Sequence, residues 1–160
     1  MEELSITLEE TTDSETIRLV HNIIYHYNSA VGRSDYQPLT LLLKNAEGAV
    51  VGGLLGKTEW GWLCVGCLAI QDAWRNRGYG TKLLDMAEAE ARARGCHDAF
   101  LDTFSFQARP FYERLGYAVF GVLESFTEHT RYFLRKRLGS QEAKPGATET
   151  RTPPSPTARA

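Results

Sequence analysis

The stretch that decides the fold is RNRGYG, residues 75–80, which lies between the runs WLCVGCLAI (62–70) and TKLLDMAEAEARARG (81–95). The first run has the apolar content of a buried strand, and the second repeats apolar residues at helical spacing. The first N–H groups of a helix have no intrahelical partner and, with the helix dipole, favour an anion. Two glycines permit close backbone approach, and two arginines can add charge-assisted hydrogen bonds. The stretch therefore predicts a site for an anion such as a diphosphate at a strand-to-helix junction.

Two other classes of nucleotide site do not fit this stretch. A P-loop ends in Gly-Lys-Ser/Thr, and a dinucleotide fingerprint has three glycines followed by a later acidic residue. RNRGYG has neither pattern. The local context of the junction must therefore identify the anion.

Length and composition restrict the classes of protein that remain. The chain has 160 residues, 42% of them hydrophobic and 24% charged, with a formal net charge of −2. These values are typical of one soluble globular domain, and they provide no overall basic field for nucleic acid. No basic and apolar leader follows Met1, and no apolar run reaches the length of a membrane span. We expect a cytoplasmic protein with neither a nucleic acid nor a membrane as its partner.

The three cysteines, Cys64, Cys67 and Cys96, predict neither a disulfide framework nor a metal site. Their number is odd, and no export signal accompanies them. Cys64 and Cys67 have C-x-x-C spacing, but no second Cys or His pair follows at finger spacing. Residues three apart on a regular strand point to opposite faces. We expect buried, reduced, structural thiols and no bound metal.

Hydrophobic periodicity predicts one α/β (α+β) domain over residues 1–138. Its expected order is β-α-(loop/α)-β-β-β-α-β-α-β-β, in which the three consecutive strands form an antiparallel meander. Thr12 or Asp13 is expected to cap the first helix, and the loop 29–38 is a candidate lid. Residues 139–160 gather Pro, Thr, Ala and Ser without periodicity, which predicts a disordered C-terminal tail. The predicted strands are 4–10, 39–45, 49–56, 61–70, 98–104, 117–123 and 130–138, and the predicted helices lie within 11–28, 79–94 and 107–116.

Two segments carry a family resemblance. LAIQDAWRNRGYGTKLL (68–84) resembles the acetyl-coenzyme A motif of the GNAT N-acetyltransferases, Q/R-x-x-G-x-G/A after a central strand, with Arg75, Gly78 and Gly80 at its fixed positions. FQARPFYERLGY (106–117) resembles the second signature of the family, an alanine followed by an aromatic-tyrosine pair and then Gly-Tyr. The resemblance covers nearly the whole chain except the tail. It implies a GNAT-like fold, with a mixed, mostly antiparallel central sheet flanked by helices.

The resemblance implies acetyl-CoA as the co-substrate and no metal. The strand before the junction would contact the pantetheine arm, and the junction amides would hold the diphosphate. Asn76 replaces a frequent glycine, and Ser105 replaces a frequent asparagine. The implied cofactor-binding residues are Leu68, Ala69, Ile70, Arg75, Asn76, Arg77, Gly78, Tyr79, Gly80, Thr81 and Ser105.

The implied reaction is direct attack of a neutral amine on the thioester, without a covalent enzyme intermediate. Tyr112 matches the family's tyrosine near the sulfur, so it is the expected acid for the departing thiolate; packing in the core is the alternative. The base is open. Glu59, expected at the start of the central strand, is placed first and His129 second, with His21, His26 or an ordered water as alternatives.

The acceptor is expected to be a small-molecule amine. His21 and Tyr25 lie one helical turn apart and so share a face, which is expected either to line an acceptor cleft or only to pack. Aromatic side chains can form its walls, namely Tyr36, Trp60, Trp62 and Phe126. A protein lysine or N-terminus is an alternative acceptor, and an acyl-CoA-binding sensor without chemistry is an alternative function. The resemblance is compatible with a homodimer.

Overall fold

The computed structural model describes residues 4–11, 13–31, 35–124 and 128–139. Three α-helices, six strands and one short 3₁₀ turn (Asp72–Trp74) are found in this part of the chain. The helices are α1 (Ser14–Val31), α2 (Tyr79–Ala93) and α3 (Arg109–Arg114). The strands are β1 (Gln37–Lys44), β2 (Val50–Glu59), β3 (Trp62–Ile70), β4 (Asp98–Phe104), β5 (Ala118–Leu123) and β6 (Arg131–Arg137).

The six strands form one sheet in the order β1-β2-β3-β4-β6-β5. Every neighbouring pair is antiparallel except β3 and β4, which are parallel and connected through α2. A parallel pair requires such a crossover connection, whereas β1, β2 and β3 follow each other through short turns. The predicted mixed, mostly antiparallel sheet flanked by helices is confirmed.

One face of the sheet carries the hydrophobic core. The helices α2 and α3 both pack on this face, and the side chains that they bury there join those of the strands in one cluster. The largest fully buried side chains are Leu54, Leu63, Leu84, Leu101 and Leu134. We call the opposite side the open face; it carries Lys57, Glu59, Trp62, Cys64 and Phe100, whose neighbours along each strand point into the core.

The predicted strand over residues 4–10 is wrong, because this segment contains no strand in the structure. Leu4, Ile6 and Leu8 alternate as a half-buried strand requires, yet their side chains are almost fully exposed, at 88%, 102% and 96%. Alternation selects a face only when a neighbouring strand supplies a hydrogen-bonded partner. β1 is an edge strand of the sheet, paired only with β2, and residues 4–10 do not pair with its other side.

The first helix begins with the expected cap. Oδ1 of Asp13 accepts hydrogen bonds from the N–H groups of Glu15 (2.7 Å) and Thr16 (2.9 Å). These bonds hold the pKa of the Asp13 carboxyl below its usual value. The helix continues to Val31, so it takes the first part of the predicted loop. Only the part of the predicted lid after Val31 is therefore outside the helix, and its residues 32–34 lie outside the described residues. Phe126 and the predicted tail beyond Gly139 also lie outside the described residues.

A β-bulge at Gly66 changes which way the cysteines point. Leu55 pairs with Cys67 and Lys57 pairs with Cys64, so Gly66 is an extra residue on β3. Because Leu55 and Lys57 are two apart on a regular strand, both cysteines lie on the open face. The predicted opposite orientation is wrong. Of the three expected buried thiols only Cys96 is buried; Cys64 is half-buried and Cys67 is exposed.

Among the described residues, no helix combines the length and the apolar character that a membrane crossing requires.

Candidate functional site

The strands β3 and β4 separate in the middle of the sheet. Their pairing runs from Trp62 with Asp98 to Val65 with Leu101, and stops there. β3 continues over 66–70 and β4 over 102–104, each still paired on its other side. The backbone N–H and C=O groups that face the resulting gap have no partner strand among the described residues, and such groups need hydrogen-bond partners from elsewhere. An extended ligand with amide groups fits this requirement.

The gap leads to the RNRGYG junction. Gly78 caps α2 with φ at 78°, and the first helical hydrogen bond of the junction runs from the Lys82 N–H to the Gly78 carbonyl at 3.1 Å. The amides before Lys82 are thus available to an anion. Asn76 also has a positive φ, 59°. Asparagine tolerates this left-handed region better than most residues, which explains how it stands where a glycine is frequent.

The two arginines of the junction have different surroundings. The Nε of Arg75 donates to the carbonyl of Ile70 at 2.9 Å, and its guanidinium forms an ion pair with Asp72 at 2.8 Å. Arg75 therefore clips the turn to the end of β3. Arg77 forms no ion pair within the described part of the chain, and its guanidinium lies 5.2 Å from the ring centroid of Trp74. Arg77 is the better placed of the two to meet an anion.

Gly80 packs against the segment 106–117, which carries the second family signature. A Cβ added at Gly80 would lie 3.3 Å from Cζ of Phe111, so the glycine allows α3 to pack against the first turn of α2. Phe111 also contacts Tyr112, with ring centroids 5.0 Å apart. The two segments that resembled one family are thus in direct contact, although 68–84 and 106–117 are separated in the chain.

Tyr112 lies on the core side of the gap and is 7% exposed. Burial, followed by electrostatic interaction with the nearby Cys67 and Asp102, raises the pKa of Tyr112 to about 12. The phenol therefore keeps its proton at every physiological pH. Unlike Tyr117, whose hydroxyl donates to Oε1 of Glu88 at 3.1 Å, Tyr112 has no hydroxyl hydrogen bond among the described residues.

Ser105 is engaged with the protein itself. Its N–H donates to the carbonyl of Thr130 at 2.8 Å, and its Oγ accepts from the N–H of Thr130 at 3.3 Å. These bonds fix the turn after β4 to the start of β6. The predicted cofactor contact of Ser105 stays a prediction, and it would have to use what remains of the hydroxyl's hydrogen-bonding capacity.

A cavity of about 440 Å³ lies between α1 and the open face, at the C-terminal end of β2. It contains His21 and Tyr25, as the helical spacing predicted, together with Tyr36. Its remaining lining residues are Asn22, Ile24, Asn28, Lys57 and Glu59. A smaller cavity of about 210 Å³ shares Lys57 and Glu59 and extends along the open face to Trp60, Trp62, Cys64 and Phe100. The two cavities together form a path from α1 toward the gap.

Glu59 ends β2, rather than beginning the central strand as the sequence suggested. One of its carboxylate oxygens accepts a hydrogen bond from Nζ of Lys57 at 3.0 Å. This bond raises the pKa of Lys57, whose ammonium also lies 5.3 Å from the ring centroid of Tyr36. Glu59 is therefore part of the cavity wall, and its role as a base stays a prediction.

His129 lies elsewhere, before β6, with its ring centroid 4.7 Å from that of Phe106. It lines neither of the two cavities that contain Glu59. The structure thus does not bring the two candidate bases together. His26 is also outside both cavities, and its Nδ1 lies 2.7 Å from the carbonyl of Asn22 in its own helix.

Sequence reasoning missed the two asparagines and the lysine of the larger cavity. Asn28 lies on the helical face of His21 and Tyr25, at i+7 from His21, so the spacing could have included it. Lys57 alternates with Glu59 on β2, but neither residue is marked by any motif. Their place in the cavity depends on where α1 crosses the sheet, which no local pattern encodes.

Comparison with known proteins agrees with the geometry. The model of the acetyltransferase (GNAT) family matches residues 5–117. An acetyltransferase from Agrobacterium fabrum is 39% identical over 121 residues, which cover 75% of this chain and 88% of that protein. A blasticidin-S acetyltransferase from Streptomyces morookaense is 42% identical over 94 residues, covering 58% of this chain and 69% of that protein.

A solved structure extends the similarity to the whole fold. A crystal structure of a protein from Agrobacterium tumefaciens superposes with a TM-score of 0.76 at 37% sequence identity, and the match covers 84% of this chain and 99% of that one. The family match agrees with two features of the structure, namely the separation of β3 from β4 and the glycine-capped helix beside it. The chain belongs to the GNAT acetyltransferase family and is an acyl-CoA-dependent acetyltransferase.

Proposed function

We propose that the protein transfers the acetyl group of acetyl-CoA to a primary amine of a small molecule, by direct attack in a ternary complex. The observation that carries this proposal is the gap between β3 and β4. The RNRGYG junction lies at one end of the gap. The path formed by the two cavities leads toward the gap across the open face. Donor and acceptor can therefore be bound together.

The donor is held by two kinds of group. The amides of the junction and the guanidinium of Arg77 bind the diphosphate. The backbone of residues 66–70 pairs with the amides of the pantetheine arm, in place of a strand. Arg75 acts indirectly here, because its bonds to Ile70 and Asp72 fix the turn.

The chemical step needs a polarised carbonyl. A backbone N–H beside the Gly66 bulge is proposed to donate to the thioester oxygen, where negative charge develops as the amine attacks. The nitrogen forms a bond to the carbonyl carbon, the tetrahedral intermediate collapses, and the C–S bond breaks to release CoA as the thiolate.

Tyr112 is proposed to stabilise that thiolate. With a pKa of about 12, the phenol is still protonated when the C–S bond breaks. An ordinary thiol has a pKa of about 8.5, so complete proton transfer from the phenol is unfavourable. A hydrogen bond from Tyr112 to the sulfur therefore supplies the stabilisation, and the thiolate receives its proton as product leaves.

The acceptor cavity supports a small molecule. Its volume of about 440 Å³ is within the range of about 300–1,000 Å³ typical of small-molecule sites. One relative is, by its name, an acetyltransferase of blasticidin S. The aromatic, amide and carboxylate side chains of the cavity suit a polar amine with a planar or apolar part. We further propose a cytoplasmic location, which the three free thiols support.

Calorimetric titration with acetyl-CoA, CoA and ATP tests the donor site first. Micromolar binding of the two CoA compounds and not of ATP is the expected result. A panel of amines, including aminonucleoside and aminoglycoside antibiotics, polyamines and a lysine peptide, is then assayed by release of free CoA. Binding without turnover of any amine would favour an acyl-CoA sensor, and turnover confined to the peptide would contradict a small-molecule acceptor.

A further inference from the structure

Asp102 lies at the position where β3 and β4 separate. It directly follows Leu101, the last residue of β4 that pairs with β3. Leu101 and Thr103 on either side of it point into the core, so the side chain of Asp102 stands on the open face. Phe100, two residues earlier on the same face, lines the acceptor path. The carboxylate thus borders the gap on the side from which the acceptor arrives.

One oxygen of this carboxylate is held and the other is available. Oδ2 of Asp102 accepts a hydrogen bond from Nε of Arg131 at 2.7 Å. The Arg131 guanidinium also lies 5.4 Å from the ring centroids of both Phe104 and Phe133, which restricts its position. Oδ1 accepts no hydrogen bond from the described residues, and the Asp102 side chain is 33% exposed. The arrangement presents one oriented, accessible oxygen.

The charge of Asp102 contributes to the pKa of groups on both faces of the sheet. It raises the pKa of the Cys64 thiol on the open face, as a smaller contribution after burial and the opposing effect of Lys57. It also raises the pKa of Tyr112 on the core side. Asp102 therefore lies near both the acceptor path and the residue assigned to the departing sulfur.

Glu59, the other carboxylate on the open face, is farther from the gap. It pairs with Trp62, three residues before Val65, where the pairing with β4 ends. At about 3.3 Å per residue, this places it roughly 10 Å back along the strand. Of these two carboxylates, Asp102 is therefore the nearer to the gap.

We propose that Asp102 is the general base of the acetyl transfer and that Arg131 positions it. This assignment rests on the proposed function, because it presupposes an amine acceptor. The acceptor amine loses its first proton to solvent before it attacks. Oδ1 accepts a hydrogen bond from the remaining N–H and orients the nitrogen lone pair toward the thioester carbonyl.

The proton transfer is balanced within the proposed step. When the C–N bond forms, the nitrogen becomes positively charged and its N–H becomes much more acidic than that of a free ammonium. Oδ1 of Asp102 takes this proton as the C–S bond breaks, and the thiolate accepts the hydrogen bond of Tyr112. The proton on Asp102 and the proton that CoA requires then exchange through solvent, so the net products are the amide and the thiol.

Three variants separate this role from that of Glu59. General-base catalysis contributes about 10²- to 10⁴-fold, so Asp102→Asn is expected to lower kcat by at least about 100-fold. Asp102→Glu should recover part of that loss, because it restores a carboxylate. Glu59→Gln should mainly raise the KM of the amine. The assay uses the amine with the highest wild-type turnover in the panel, and CoA affinity and the unfolding midpoint are measured for every variant.

The readouts distinguish the possible failures. An Asp102→Asn variant with wild-type kcat, or a large loss of kcat in Glu59→Gln with none in Asp102→Asn, overturns the base assignment. The assignment is also overturned if Asp102→Glu recovers none of the kcat that Asp102→Asn loses, while CoA affinity and the unfolding midpoint of both variants are unchanged. Failure of the wild-type protein to acetylate any amine, despite binding CoA, contradicts the proposed function and removes this role with it.

Discussion

Tyr112 and Tyr117 are buried close together, with ring centroids 6.1 Å apart, but their hydroxyl groups have different surroundings. Tyr117 donates to the buried Glu88, whereas the Tyr112 hydroxyl has no hydrogen bond among the described residues and is the one proposed to meet the departing sulfur. Tyr112→Phe is therefore expected to lower kcat by about 10- to 100-fold with unchanged CoA affinity. Steady-state kinetics and calorimetry measure the two quantities.

Tyr117→Phe is the matched control for Tyr112→Phe. It removes the hydroxyl of a similarly buried tyrosine, whose partner is the Glu88 carboxylate. It should therefore lower the free energy of unfolding by about 1.5–3 kcal/mol and leave kcat nearly unchanged. Equal kinetic effects of the two substitutions would contradict a chemical role for Tyr112 and would favour packing for both.

The same two phenols predict a loss of stability in alkali. Burial raises the pKa of Tyr112 to about 12 and raises that of Tyr117 further. In the unfolded chain both phenols ionise near pH 10. Above that pH the unfolded state binds fewer protons than the native state, so the free energy of unfolding falls from about pH 10 to pH 12. Tyr112 alone accounts for about 2–3 kcal/mol by pH 12.

Urea unfolding at pH 9 and at pH 11.5 measures this effect. The wild-type protein should lose several-fold more stability between the two values than the double variant Tyr112→Phe, Tyr117→Phe. An equal loss in both proteins would show that other groups dominate the alkaline transition.

Gly78 provides the third residue-scale test, because its φ of 78° excludes a β-branched residue without strain. Gly78→Val should weaken CoA binding at least 10-fold and cost about 1–2 kcal/mol of stability. Gly48, in the turn between β1 and β2, has a φ of 83°, and a Cβ added at either glycine would meet open space. Gly48→Val should cause a similar loss of stability and no loss of CoA affinity. A calorimetric affinity for Gly78→Val equal to that of the Gly48 variant would contradict the anion site.

At the scale of elements, a buried ionic cluster ties α2 to β6. Glu88 is 2% exposed, and both of its oxygens lie 2.8 Å from Nζ of Lys136. It also accepts from Arg92 at 3.1 Å and from Tyr117. Removing one partner of a buried ion pair leaves an uncompensated charge, which costs about 3–5 kcal/mol. Glu88→Gln should therefore lower the free energy of unfolding by about 3 kcal/mol in urea titrations.

A surface pair with the same helical spacing is the control for Glu88. Glu113 accepts from Arg109 at 2.8 Å, but both side chains are 39% exposed. Exposed pairs of this kind contribute about 0.3–0.5 kcal/mol, so Glu113→Gln should have little effect on stability. A comparable loss in both variants would show that burial of Glu88 is not the cause.

The elements themselves could largely be predicted from periodicity. The predicted bounds agree with the structure to the residue for β4 and to within one residue for α2, because Tyr79–Ala93 shows a clear apolar face that ends before Gly95. The failed strand over 4–10 shows the limit of this reasoning. Its alternation is genuine, but strand formation depends on a non-local partner that the segment itself does not encode.

The candidate site was predictable where it is local and not where it is assembled from separate elements. The junction 75–80 could be identified because its glycines and its place between strand and helix are adjacent in the chain. The bulge at Gly66 could not, since it arises from the register with β2 and reverses the direction of Cys67. Asp102 was missed for the same reason: only the end of the pairing between β3 and β4 distinguishes it from other strand carboxylates.

At the scale of the whole molecule, the predicted end of the domain at residue 138 can be tested by truncation. The N–H of Leu138 donates to the carbonyl of His97 at 2.8 Å, and its carbonyl accepts from Nε of Arg92 at 2.7 Å. Its side chain is 5% exposed. A chain that ends after Gly139 should keep the unfolding midpoint and the CoA affinity of the full chain. A chain that ends after Arg137 loses these contacts and should unfold at a clearly lower temperature.

Thermal unfolding followed by circular dichroism compares the three chains. Equal midpoints for the two truncated chains would contradict a structural role for Leu138. A lower midpoint for the chain ending after Gly139 would show that residues 140–160 contribute to stability, contrary to the sequence-based expectation.

The bulge at Gly66 also gives the molecule a practical property. It places Cys64 and Cys67 on the same side of β3, next to the gap, while Cys96 is only 4% exposed. Cys67 is the most accessible of the three thiols, so a maleimide dye can be attached beside the proposed donor site without adding or removing any cysteine. The native chain thus carries its own attachment point for an optical reporter that follows donor binding in real time, independently of which amine is acetylated.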